Sequence, residues 1–358
     1  MTSSKKAGSE PRPKKANSQR AGRLSSGRVT LSDVAKVAGV SSMTVSRAIN
    51  RPETVTEQVQ QIVKAAIDKT GYVPNLLAGG LASSRTRLIG AVVPTLSHML
   101  FSGSIEAFNG RLAEEGYQVL LALSGYGQAA DDNLVRTILS RCPEGILLTG
   151  THHSKEVLAQ LDNVNIPVIE GWDLSRQPLD MAVGFSHDEV GQAVARFLVA
   201  KNHDKLIVVG AQDERAIMRR DSFLRTLEEL GVDDARHVDT PSPSTLEMGR
   251  ESFAQLFEEG VRRAAIFCNS DWLAHGVIIE ARERGLCVPE DIAVIGFGNL
   301  DFAAYSSPSL TSIHIDREAI GLHAANMFLK RLAGEEVEQT IVDVGFDIIE
   351  RQSTQSVL

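Results

Sequence analysis

Seven short apolar runs recur between residues 88 and 298: LIGAVV (88–93), YQVLLAL (117–123), GILLT (145–149), PVIEG (167–171), KLIVVG (205–210), AAIFCN (264–269) and IAVIGFG (292–298). Between them lie amphipathic helical stretches such as Glu189–Ala200. Strands buried on both faces read as continuous apolar runs, because helices cover a parallel sheet above and below. The alternation therefore predicts α/β architecture, and residues 88–358 are enough chain for two doubly wound parallel-sheet lobes. Ligands of open α/β sheets bind at the carboxyl ends of the strands, so that is where binding residues are expected.

With 358 residues, 43% of them apolar, the chain has ample material for buried cores. It has no run of eighteen apolar residues, and the opening MTSSKKAGSEPRPKK is basic with no apolar stretch behind it. A cytoplasmic location with no membrane span is expected. Cys142, Cys268 and Cys287 stand far apart without metal-ligand or C-x-x-C spacing, and are expected to be buried reduced thiols.

The formal net charge of −8 hides an asymmetry. Residues 1–87 hold fifteen Lys/Arg against five Asp/Glu, whereas residues 88–358 hold twenty-two against forty. A basic end on an acidic body suggests that one end meets a polyanion. Residues 1–28, rich in Lys, Arg, Ser, Gly and Pro, are expected to be a disordered basic tail.

From Val29 to Gly71 the sequence reads as three short helices. Thr30 can cap one over Leu31–Ala38 that ends at Gly39; Ser41 can cap a second over Ser42–Ile49; Thr56 can cap a third running to Gly71. Ala35 would let two helices approach, Gly39 would make the turn and Val45 would pack back, as in a helix-turn-helix. Small alanines in any helical hairpin give the same spacing. If the second helix reads DNA, Ser41, Ser42, Met43 and Thr44 face base edges and phosphates, with Arg47 one turn on and Thr30 and Asn50 flanking. Hydroxyls donate to phosphate oxygens, methionine offers apolar contact to a thymine methyl, and arginine can bond guanine O6/N7 bidentately.

VTLSDVAKVAGVSSMTVSRAIN, the third helix and GYVPN together closely resemble the headpiece of the LacI/GalR family of bacterial transcription regulators, and the similarity runs to about residue 350. The resemblance implies a dimeric, ligand-responsive repressor that binds double-stranded operator DNA. After the basic tail (1–28) it implies a headpiece (29–74), a hinge (75–87) and a core (88–358) of two lobes like those of periplasmic sugar-binding proteins. One lobe would span about 88–185 and 316–343, the other about 186–315 and 344–358, with the ligand between them. In the family the hinge folds on operator DNA and inserts a leucine into the minor groove. Asn75–Ala82 (NLLAGGLA) matches, with Leu81 in the leucine's place. Gly79 and Gly80 depart from the family pattern, and each raises the cost of helix by roughly 1 kcal/mol.

The same matching puts Arg219, in RRDSF, where the family has an arginine that grips ligand hydroxyls or carboxylates. His153, Ser270 and Gly298 fall where sugar-binding members have an aspartate, an asparagine and an aspartate; Asp271 retains an acidic position that is partly structural in relatives. Phe101 and Phe185 match apolar positions lining the cleft, though a core role fits any such phenylalanine. Two carboxylates that would accept sugar hydroxyls are thus missing while the arginine stays, which favours an anionic sugar acid. LDMAVGF, AQDERA, a GF without a following aspartate, and DVGF look most like the gluconate-utilisation repressor branch. Gluconate or a ketogluconate is the expected effector; a neutral sugar or a nucleobase is the alternative.

No G-x-S-x-G, P-loop, G-x-G-x-x-G or H-E-x-x-H motif is present, and adjacent His152 and His153 have no further partner at metal-ligand spacing. Neither catalysis, nor a metal, nor a cofactor is expected. A solute-binding protein without DNA function is the rival from another class, disfavoured by the basic headpiece. The closing IIERQSTQSVL carries no apolar heptads, so a dimer is expected, not a coiled-coil tetramer.

Overall fold

The computed structural model describes residues 29–73, 86–96, 99–126, 128–175, 177–203, 205–232 and 234–355, without the side chains of residues 128–132. The tail and residues 75–85, which hold Leu81, lie outside the described residues. The chain divides into two compact units, residues 1–83 and 84–358.

In the first unit, α1 (Leu31–Ala38) starts at Thr30, whose backbone N–H and hydroxyl both donate to the Asp33 carboxylate, at 3.0 and 2.6 Å. The hydroxyl bond chiefly holds the Asp33 carboxyl below its usual range. Gly39 ends the helix at φ +67°, a left-handed conformation that a side chain would strain. α2 (Ser42–Asn50) starts at Ser41, whose Oγ accepts the Thr44 N–H at 3.1 Å. A 3-10 turn (Pro52–Thr54) leads to α3 (Glu57–Thr70). Val34, Ala35, Val45, Val63 and Ala66 are buried together, so the alanine and valine spaced around the Gly39 turn do hold α1 and α2 in a helix-turn-helix.

The second unit has two six-stranded sheets. The first contains β1 (Leu88–Val93), β2 (Gln118–Leu123), β3 (Gly145–Thr149), β4 (Val168–Gly171), β5 (Met181–Gly184) and β11 (Ile341–Asp343), in the order β11-β5-β4-β3-β1-β2, all parallel. The second contains β6 (Leu206–Ala211), β7 (Ala235–Thr240), β8 (Ala264–Cys268), β9 (Ile292–Phe297), β10 (Thr311–His314) and β12 (Asp347–Ile349), in the order β12-β10-β9-β8-β6-β7. Only β12 is antiparallel to its neighbour. The fold is thus the α/β arrangement the alternation predicts. All residues of β6 and of β9 are buried, which is why both read as unbroken apolar runs.

Helices cover both sheets: α4 (Ser102–Glu114), α5 (Gln128–Leu139), α6 (Lys155–Asp162) and α11 (Arg317–Ala333) belong with the first, and α7 (His187–Val199), α8 (Glu214–Glu229), α9 (Leu246–Glu258) and α10 (Asp271–Glu283) with the second. The chain passes from sheet to sheet three times: after β5, between β10 and α11, and between β11 and β12. Glycines permit the tightest helix crossings. A Cβ at Gly191 of α7 would lie 2.5 Å from the Arg219 carbonyl oxygen of α8.

The cysteines correct the expectation of three buried thiols. Cys268 on β8 is buried, and burial pushes its thiol pKa up, but Cys142 and Cys287 are exposed. Both lie in surface loops outside the helices and strands, where no apolar neighbours enclose them. Among the described residues, no helix is long and apolar enough to cross a membrane.

Candidate nucleic-acid interface and ligand cleft

The outer face of α2 combines donors with one apolar side chain and no acid. Ser42, Met43 and Arg47 are exposed, Met43 to 66%, and among the described residues none has a side-chain hydrogen bond or ion pair. The other candidates are engaged. Ser41 and Thr44 share a hydroxyl contact at 2.9 Å in the cap, Asn50 Nδ2 donates back to the Ser46 carbonyl at 3.0 Å, and both Thr30 donors serve Asp33. Ser42, Met43 and Arg47 therefore carry free chemistry, and the rest of the set stiffens the helix that presents it.

The second unit holds a cleft between its sheets. The first sheet's side contributes Leu100, Phe101, Tyr126 and Trp172; the second contributes His187, Asp213, Arg215, Arg219, Asn269 and Phe297, among others. The polar residues follow strand ends and sit at helix starts. Ser186 caps α7 just before His187, Asp213 caps α8 by accepting from Ala216 N, and Ser270 caps α10 by accepting from Trp272 N. An aromatic wall runs from Phe101 to Trp172 (4.9 Å between ring centres), Phe185 (6.2 Å) and Phe297 (6.1 Å).

Arg219 is the chemical centre of the cleft. Its residue exposure is only 5%, and its guanidinium carbon lies 4.0 Å from the centre of the Phe297 ring. Nε donates to Asn269 Oδ1 at 3.0 Å, and Nη1 to His187 Nδ1 at 2.9 Å. A guanidinium can only donate, so His187 Nδ1 accepts; its Nε2–H then donates to the Trp172 carbonyl at 3.0 Å, and the ring is neutral. Burial first, then the charges of Arg219 and Arg215, hold the His187 pKa well below its usual value. Among the described residues no carboxylate lies within ion-pair distance of Arg219; Asp213 and Asp173 act on it only through space. Burial brings its pKa down to about 10. A buried cation held by dipoles, with no carboxylate in contact among the described residues, has the chemistry to receive an anion, and three of its five N–H donors have no partner among those residues.

Four of the residues picked from sequence meet in this cleft: Phe101, Phe185, Arg219 and Ser270. Three do not line it. His153 lies in a separate pocket of the first sheet, where its Nε2 meets Glu170 Oε1 at 2.8 Å and so satisfies a buried carboxylate. Asp271 is fully buried; Oδ1 accepts the Ser312 hydroxyl at 2.6 Å and Oδ2 the Leu300 N–H at 2.7 Å, so it ties β10 and the segment after β9 to α10. Burial raises its pKa to about 6. Gly298, at φ +119°, gives no side-chain group and lets Leu100 approach, since a Cβ there would sit 3.2 Å from Leu100 Cδ1. His187 and Asn269 were missed. Asn269 directly follows an apolar run (AAIFCN) and His187 lies one residue beyond another (MAVGFSH), so the strand-end rule could have found them.

Residues 30–75 match the sequence family described as bacterial regulatory proteins, lacI family, and residues 195–354 match the periplasmic binding protein-like domain. The HTH-type transcriptional regulator GntR of Pseudomonas aeruginosa is 37% identical over 330 residues, covering 92% of this chain and 96% of that protein. A solved LacI-family transcriptional regulator from Silicibacter pomeroyi superposes with a TM-score of 0.86 at 29% identity, covering 92% of this chain and all of the other. The lac repressor dimer bound to operator and the anti-inducer ONPF superposes with a TM-score of 0.77 at 25% identity, again covering 92% of this chain and all of the other.

Proposed function

From the premise that this chain belongs to the LacI family of bacterial regulatory proteins and is a DNA-binding transcriptional repressor, we propose that it controls sugar-acid catabolism genes and leaves its operator when gluconate or a ketogluconate enters the cleft. The observation that carries the effector class is Arg219, buried without a carboxylate partner among the described residues. A neutral sugar would leave that charge matched only through space by Asp213 and Asp173, whereas a carboxylate on its free N–H groups supplies a counter-ion in direct contact. The resemblance of LDMAVGF, AQDERA and DVGF to the gluconate-utilisation branch supports the same class.

In this reading the protein acts as a homodimer. Ser42, Met43 and Arg47 read base edges, the Ser41 cap and its neighbours orient them, and Leu81 wedges the minor groove. Phe101, Phe185 and Ser270 complete the effector site around Arg219. The effector acts by preferring one arrangement of the two lobes, because equal affinity for both would shift nothing. Linkage then requires operator DNA to weaken effector binding by the factor by which effector weakens operator binding.

Calorimetry on the full chain with gluconate, 2-ketogluconate, a neutral hexose and a nucleobase tests this. The acids should bind, and Arg219→Ala should bind them at least tenfold more weakly, since a hydrogen bond to a charged group is worth about 1.5–3 kcal/mol. Undiminished acid affinity in that variant would remove Arg219 from the site. Binding of the hexose or the nucleobase in place of the acids would overturn the effector.

A further inference from the structure

We propose that Asn269 determines the charge selectivity of the cleft: as a neutral acceptor beside Arg219, with neutral His187 as the other, it leaves the guanidinium's charge to be matched by an acid. The inference rests on the reading of Arg219 as the cation that grips the ligand, and adds the residue that makes acidity a requirement.

The orientation of the Asn269 amide follows from its neighbours. Arg219 Nε can only donate, so the atom 3.0 Å away is the amide oxygen; the Ala216 carbonyl can only accept, so the atom 3.3 Å from it is the amide nitrogen. Gly210 leaves room for the group, for a Cβ there would lie 2.1 Å from Asn269 Nδ2. Asn269 is itself buried, at 6% exposure. An aspartate is nearly the same shape and would accept from Nε more strongly, because its oxygens carry charge. It would also neutralise Arg219 from within, and a ligand carboxylate would then meet a satisfied cation and a second anion. The amide avoids both effects while still aiming the guanidinium. On the opposite side His187 does the same with an imidazole nitrogen, so neither protein acceptor brings a charge.

The selectivity is read from two ligands that differ at one carbon: gluconate, and glucitol, which carries an alcohol in place of the carboxylate. In calorimetry on the full chain, the parent should prefer gluconate by at least a hundredfold. Asn269→Asp should lose at least a hundredfold in gluconate affinity while its glucitol affinity stays within threefold or rises. Asn269→Ala, which removes the acceptor without adding charge, should lose less than tenfold and keep the preference. Thermal melts establish that each variant is folded; should Asn269→Asp not fold, His187→Glu places a carboxylate at Nη1 and should show the same loss of preference. Gluconate affinity in the carboxylate variant within threefold of the parent, or no preference in Asn269→Ala, would overturn the inference. If Arg219→Ala itself keeps its gluconate affinity, the failure lies in the effector reading beneath it.

Discussion

Replacing Gly191 by alanine should weaken effector binding through a helix crossing that the ligand does not touch. Gly191 lies on α7, where an added Cβ would stand 2.5 Å from the Arg219 carbonyl oxygen, 2.8 Å from Ser222 Cβ and 2.9 Å from Phe223 N. Two of these three are backbone atoms that no rotamer change can move. Reaching ordinary contact at about 3.5 Å requires α7 and α8 to part by about 1 Å. In an open helix alanine would add about 1 kcal/mol of stability over glycine. Overpacking costs about 1–3 kcal/mol, so the sign of the net change measures the crossing itself. A net loss of about 1–2 kcal/mol is expected, at about 2–4 °C of melting temperature per kcal/mol in a domain of this size. The same movement lengthens the 2.9 Å bond from Arg219 to His187 of α7 to roughly 4 Å, beyond hydrogen-bond range. That corresponds to about 10–100-fold in effector affinity. Thermal unfolding and gluconate calorimetry on the full chain read both quantities. An alanine variant as stable as the parent with unchanged affinity would refute the argument.

Arg47→Ala should weaken specific operator binding by about 1–3 kcal/mol, and Met43 variants should select a different sequence; a binding-site selection that returns the parent's preference for the Met43 variants would remove α2 from base reading. His187 is held neutral with a lowered pKa, so the unfolded chain takes up a proton near pH 6.5 that the folded chain refuses. Its contribution to stability is complete above that pH and declines as pH falls below it, by up to about 1.4 kcal/mol per pH unit. His275, also lowered by burial, acts in the same direction, and Asp271, raised to about 6, acts in the opposite one. Urea unfolding at pH 7 and pH 5.5 should therefore show a shallower pH slope for His187→Gln than for the parent, and equal slopes would contradict a neutral buried ring. In the native protein a thiol reagent should modify Cys142 and Cys287 and spare Cys268; mass spectrometry showing Cys268 modified under native conditions would contradict its burial.

Local periodicity made much of the fold legible. The runs at 88–93, 145–149 and 292–298 are strands within a residue of where they read, because a strand covered on both faces has no polar side to interrupt it. Ala235–Thr240 (ARHVDT) gave no such signal, since β7 is a sheet edge where polar side chains, mostly half-buried or exposed, interrupt the apolar ones, and Ile341–Asp343 and Asp347–Ile349 are too short to show a period. Thr30, Gly39, Ser41 and Gly71 marked the headpiece helices because caps and left-handed turns are made by residues within four positions of one another.

Residue chemistry and spacing by themselves thus determined the alternation of the long strands with helices and the basic headpiece on an acidic body, while the family resemblance singled out Arg219 as a candidate to meet a ligand. Only tertiary structure decided which neighbours Arg219 keeps. His187 and Asn269 lie 32 and 50 positions from it in the chain and reach it because α7, α8 and the end of β8 converge at the carboxyl ends of the second sheet's strands. Packing likewise turns His153 towards Glu170 within the first sheet's own pocket and, in the second sheet, closes Asp271 on Ser312 and Leu300. A sequence position states what a side chain can do. Whether it is spent on the core or left for a ligand depends on atoms distant in the chain, which only packing brings within hydrogen-bond range.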